Sequence, residues 1–172
     1  MNDKERCLEF TQKKEYLIVS EDTYWLGFGM YFWDNRSNAK YWMHIKRNQN
    51  PDKEYIGVRA NIFIYEDILL DLTDESTVEK IEEIWDMYCK LNKEKQSQPL
   101  GIKLDKLFDF LEEWDDLNVI KGIGDYNINQ NKSDSLRLSN NYKGPQIRGG
   151  LKVIYCVRQP DIAINRDVIG VD

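Results

Sequence analysis

An α+β fold is predicted for this chain from three observations. Residues 78–91 and 104–117 carry apolar side chains at helical spacing. Several other stretches, with 151–157 the clearest, are short runs of β-favouring residues. Strands and helices also mix without the regular strand–helix–strand alternation of a parallel sheet. The 172 residues fit one domain, 1–172, large enough to bury a core and without an internal repeat or interdomain linker.

The elements follow in order. Cys7-Leu8-Glu9-Phe10 reads as the end of a short helix and 16–19 as an extended stretch. Residues 30–33, Met-Tyr-Phe-Trp, form a strand. Ser37 is placed as the N-cap of a helix running to about Lys46, with Ala39, Trp42 and Met43 on its apolar side. Residues 55–72 give two strands split near Glu66-Asp67. Ser76 and Glu79 form a capping-box pair ahead of Val78, Ile81, Ile84, Trp85, Tyr88 and Leu91. A second helix is expected from about Leu104 to Leu117, then a long irregular loop over 122–150, rich in Asn, Ser, Gly and Lys.

Composition narrows the function classes. Hydrophobic residues make up 41% and charged residues 31%, a globular balance rather than a disordered one. No apolar run approaches the roughly 20 residues of a membrane span. The first residues, Met1-Asn2-Asp3-Lys4-Glu5-Arg6, lack signal-peptide character. A cytoplasmic protein with no membrane partner is therefore expected. Cys7, Cys89 and Cys156 are widely spaced and only His44 could join them, which argues against a disulfide framework and a zinc site. They read as buried thiols. Of the net charge of −6, residues 66–118 carry 16 acidic and 6 basic side chains, the solvated faces of two helices. Residues 130–172 carry 4 acidic and 7 basic side chains, too few for a dedicated nucleic-acid stripe.

The densest chemistry lies in Trp25-Leu26-Gly27-Phe28-Gly29-Met30-Tyr31-Phe32-Trp33, followed by Ser37-Asn38-Ala39-Lys40-Tyr41-Trp42. Paired glycines permit close backbone approach and unusual dihedrals. The aromatics beside them suit a planar, partly polar ligand. Two phenols ten residues apart across a strand–turn–helix can sandwich a flat ring.

This motif resembles the nicotinamide pocket of the ADP-ribosyltransferase fold, in its poly(ADP-ribose) polymerase and diphtheria-toxin branch. It is closer still to small bacterial and phage proteins with a Trp-Leu-Gly-x-Gly-x-Tyr-Phe-Trp signature. Ile68-Leu69-Leu70-Asp71-Leu72-Thr73-Asp74 and Ile154-Tyr155-Cys156-Val157-Arg158 resemble two later strands of that group. The resemblance implies a split, largely antiparallel sheet with three or four flanking helices. It implies Tyr31 as the catalytic-site residue bordering the nicotinamide of NAD, with Tyr41 on the other ring face. Gly27, Gly29, Ser37 or Asn38 would serve the carboxamide. Arg148 is the first choice for the pyrophosphate, ahead of Arg59 and Arg158, and Gly144-Pro145-Gln146-Ile147-Arg148-Gly149-Gly150 is either a substrate loop or a plain connector. NAD would be a substrate, and no metal is called for.

Two parts of the family pattern are not matched. The histidine of the first strand would fall at or before Met1. The catalytic glutamate would fall at Leu151 or Lys152, and no acidic residue lies between Asp134 and Asp161. Two functional expectations follow from the resemblance. The first is transfer of ADP-ribose to a protein or nucleic-acid acceptor, as a toxin or phage-defence factor with an antitoxin among its expected partners. The second is a degenerate member that binds NAD, an ADP-ribose-like nucleotide or a partner protein without turnover. A structural protein whose tryptophans are all core is the third reading. The carboxylate pairs Glu82-Glu83, Glu112-Glu113 and Asp115-Asp116 read as solvated surface rather than as acid–base groups.

Overall fold

In a computed structural model of the chain, residues 2–124 and 152–170 are described. They form β1 Asn2–Asp3, α1 Lys4–Gln12, β2 Ser20–Asp22, β3 Gly27–Trp33, α2 Arg36–Gln49, β4 Tyr55–Ile62, β5 Leu69–Asp71, α3 Glu75–Asn92, α4 Leu100–Phe110, β6 Val119–Gly124, β7 Lys152–Val157 and β8 Ala163–Ile169. A five-stranded sheet has the order β2-β3-β7-β6-β5, and a three-stranded sheet the order β1-β4-β8. Every pairing is antiparallel except β5 with β6. Among the described residues, four α-helices and two sheets make this a mixed α/β protein, compatible with the α+β class.

The two-residue period of a strand decides what each face of the large sheet meets. On β3, Gly27, Gly29, Tyr31 and Trp33 share one face. Register extends that face through Cys156 and Ile154 of β7, Ile120 and Gly122 of β6, and Leu70 of β5. Onto it pack Ile81, Trp85 and Cys89 of α3 with Leu104 and Leu107 of α4. Leu104 and Leu107 are fully buried, and burial of such a side chain contributes about 1.5–3 kcal/mol. The opposite face of β3 offers Met30 and Phe32 to Cys7 and Phe10 of α1, and to Ile56, Val58 and Ala163 of the small sheet.

Several local expectations are corrected. The N-cap of α2 is Asn35 rather than Ser37, because the Asn35 carboxamide oxygen accepts from the Asn38 backbone N–H at 2.9 Å. The cap of α3 is Asp74 rather than Ser76. Its carboxylate accepts from the Thr77 N–H at 3.0 Å and from the Ser76 and Thr77 hydroxyls at 2.7 Å. Those bonds, from Ser76 first, hold the Asp74 carboxyl down to about 2. The second long helix spans Leu100–Phe110 instead of 104–117, entered from Pro99 and followed by a 3-10 turn, Glu112–Trp114. The break lets Trp114 meet Phe108 edge-on at 5.1 Å, which six residues of unbroken helix would not allow. The stretch 122–150 does not begin as a loop, since Gly122 and Gly124 lie in β6.

Candidate functional site

The two glycines of β3 are accounted for by the protein around them. Gly27 has φ +75°, and a Cβ there would sit 2.5 Å from Asp105 Oδ1. Asp105 approaches so closely because its carboxylate accepts from the Phe28 N–H at 2.9 and 3.1 Å. Arg158 completes the clamp: Nη1 donates to Asp105 Oδ1 at 3.1 Å and to the Phe28 carbonyl at 3.0 Å. The guanidinium lies 3.9 Å from the Phe108 ring centroid. Gly29 has φ +153°, and a Cβ there would overlap Cys156 Sγ and lie 2.9 Å from the Val157 carbonyl oxygen. Burial pushes the Cys156 thiol up to about 12, so it is no nucleophile at neutral pH.

Beyond the glycines a cavity opens that Tyr31 and Trp33 border from this face and Met30 from the other. Tyr31 donates its hydroxyl proton to the Gly27 carbonyl at 2.8 Å and accepts from the Leu26 N–H at 3.0 Å. The hydroxyl thus ties down the turn before β3, and the ring is what Tyr31 offers to this cavity of about 120 Å³. Trp25, Trp33, Trp42, Lys46 and Ile154 also line that cavity. Trp42 meets Trp25 edge-on at 6.5 Å and Trp33 at 6.1 Å, and the Lys46 ammonium lies 5.1 Å above the Trp42 ring. For scale, an apolar cavity of about 150 Å³ accepts benzene, so this space suits roughly one aromatic ring.

Tyr41 does not line this cavity; the α2 residue facing Tyr31 is its neighbour Trp42. The reason is helical phase, since Trp42 and Lys46 are four apart on the inner side and Tyr41 is turned about 100° away. Tyr41 is 41% exposed, and the Lys152 ammonium lies 3.3 Å from its ring centroid. The expected Tyr31–Tyr41 sandwich is therefore replaced by Tyr31 with a group of tryptophans. Ser37 is exposed, while Asn38 donates from Nδ2 to Asp34 Oδ1 at 3.0 Å. Arg148 and the 144–150 loop lie outside the described residues.

Lys152 opens β7 and is, with Leu151, one of the two positions at which the resemblance implies a glutamate. Only 2% of it is exposed, and burial pulls its ammonium below the usual lysine range. A lysine this buried is not legible from sequence, because lysine is ordinarily a surface residue. Trp33 and Trp42 were within reach of sequence reasoning, since both flank the glycine motif.

A second cavity, of about 400 Å³, lies on the other side of Trp25 and Ile154, between α3, the start of α4 and the end of β6. Among the described residues no group of three or more His, Cys, Asp or Glu could hold a metal ion, and no helix is long and apolar enough to cross a membrane. All three cysteines are free and buried. The carboxylates of the pairs 82–83, 112–113 and 115–116 are exposed.

The chain is a mixed α/β protein with an aromatic cavity beside a glycine-bearing strand. No protein-family model, curated protein or solved structure matches the chain.

Proposed function

We propose that this chain is an ADP-ribosyltransferase-like protein that binds NAD or an ADP-ribose-like nucleotide and does not transfer ADP-ribose. A flat ring enters the small cavity against Tyr31 and the tryptophans, and ring contacts of this kind contribute about 0.5–1.5 kcal/mol each beyond burial. Lys46, on the lining of that cavity, supplies positive charge suited to a pyrophosphate. The observation that carries the absence of transfer is the unmatched glutamate. Loss of nicotinamide builds positive charge on the ribose, and a carboxylate stabilises it. Neither of the two residues the resemblance offers for that glutamate, Leu151 or Lys152, carries a carboxylate. Among the described residues, the lining of the small cavity contains no acidic side chain.

Calorimetric titration with NAD and with ADP-ribose tests the reading, together with an assay of nicotinamide release. Saturable binding of at least one nucleotide without release is expected, and Trp42→Ala should weaken it tenfold or more, on the order of two lost ring contacts. Release of nicotinamide by the wild-type chain would establish transfer or hydrolysis instead. No binding of either nucleotide would end the ADP-ribosyltransferase-like reading.

A further inference from the structure

The second cavity shares Trp25 and Ile154 with the first and is otherwise lined by different residues. Its floor arises from an unusual strand. Ile120, Gly122 and Gly124 occupy successive positions on one face of β6, opposite Cys156, Ile154 and Lys152. Ile120 is fully buried, whereas the next two positions carry no side chain. A methyl at Gly122 would already come within 3.1 Å of Leu26 Cδ2. The residues facing this floor are Val78, Ile81 and Trp85 of α3, Lys103 of α4, and Trp25 from the turn before β3.

The size and lining point to a class of ligand. An apolar cavity of about 150 Å³ accepts one benzene ring, and the present one, at about 400 Å³, has room for two fused rings and a substituent. It also falls inside the range of small-molecule sites. Most of the lining is apolar; Trp25 provides an indole face, while Trp85, 3% exposed and stacked on Tyr88 at 5.3 Å, is part of the packed wall. Two charged side chains reach it. Glu82 is exposed to solvent, whereas Lys103 is half-buried, with its ammonium 5.5 Å from the Trp85 ring centroid. Among the described residues no carboxylate forms an ion pair with Lys103. An anionic group beside a flat apolar body would meet this ammonium at the edge of the rings.

We infer that the cavity between α3, α4 and the glycine end of β6 binds a planar aromatic anion of about two fused rings. The aromatic body lies against Trp25 over the glycine floor, and the anionic group is held by Lys103. Neither Tyr31 nor Trp42 takes part, so the inference stands or falls apart from the nucleotide reading.

Indole-3-acetate, uncharged indole and the cation tryptamine serve as probes against the whole chain, followed by backbone amide and indole N–H resonances. Saturable shifts from indole-3-acetate are expected at Gly122, Gly124 and the Trp85 indole, with weaker binding of tryptamine. Lys103→Gln should weaken indole-3-acetate about fivefold and leave indole unchanged, as for a partly screened ion pair. Val78→Trp should fill the space and abolish all three. Stronger binding of tryptamine, an unaltered affinity in Val78→Trp, or absence of saturable binding would overturn the inference. Should Val78→Trp fail to fold, the wild-type shifts decide, because changes clustered anywhere but the glycine end of β6 exclude the site.

Discussion

Within the seven residues of β3, one face passes from filled to hollow. At Gly27 and Gly29 the space a side chain would take is occupied by Asp105, Cys156 and the Val157 carbonyl. At Tyr31 and Trp33 the same face borders a cavity ringed by indoles. A glycine-aromatic motif invites the thought that its glycines make room for a ligand. Here they make room for the protein, and the aromatic end alone leaves space. The sequence motif thus joins two functions, close packing of β3 against α4 and β7, and a ring-sized opening beside α2.

That contrast can be broken most forcefully at Gly29. Gly29→Ala demands an unfavourable φ and a collision with backbone on the neighbouring strand, and it should cost about 3–5 kcal/mol in urea unfolding. It should also open the Cys156 thiol to alkylation. A loss under about 1 kcal/mol, with Cys156 still protected, would show that the glycine end is looser than its geometry implies. Asp105→Ala comes next. It strips the Phe28 N–H of its acceptor and Arg158 of its counter-charge, at about 1.5–3 kcal/mol. Asp105→Asn keeps an acceptor and should recover part of that loss.

The hollow end should tolerate change better. Trp42→Leu gives up the edge contact with Trp25 and the tilted contact with Trp33, and a loss of about 1–2 kcal/mol is expected from thermal unfolding. Nucleotide affinity should fall more than stability does. If the unfolding loss instead exceeds that of Gly29→Ala, Trp42 is core and the cavity is incidental.

What the sequence disclosed follows the same division. Local patterns were readable: the helical spacing of α3, the β-favouring runs of β3 and β7, and the break between β4 and β5 near Glu66-Asp67 all stand in the structure. Features set by long-range packing were not. β6 carries Gly122 and Gly124 and reads as loop, yet it is a strand because β5 and β7 pair with both its edges. β8 has charges at Arg166 and Asp167 and a left-handed Asn165, opposite the register shift between Arg59 and Asn61, so its alternation is disguised. Tyr31 was legible as a cavity residue, but Tyr41 was expected as the second wall where Trp42 stands, because one residue turns the helix by about 100°. The Asp105–Arg158 clamp joins side chains 53 positions apart, and nothing in either neighbourhood announces the other.

The gentlest test of the two ends is titration, because they carry buried groups of opposite sign. Burial raises the Cys156 thiol to about 12 from an ordinary 9.0. Its contribution to stability is fully present below pH 9 and is lost as pH climbs towards 12, since only the unfolded chain releases the proton early. Burial lowers the Lys152 ammonium from 10.5. Below that range the unfolded chain binds the proton more readily, so the penalty is complete at low pH and fades as pH rises to 10.5. Cys156→Ala and Lys152→Met each remove one of these dependences. As pH rises towards 10.5, wild type should gain stability relative to Lys152→Met; above pH 9 it should lose stability relative to Cys156→Ala. Urea unfolding followed as pH rises reads both slopes. Two slopes of the same sign would mean that the packed and hollow ends of this face do not differ in the way their burial and contacts indicate.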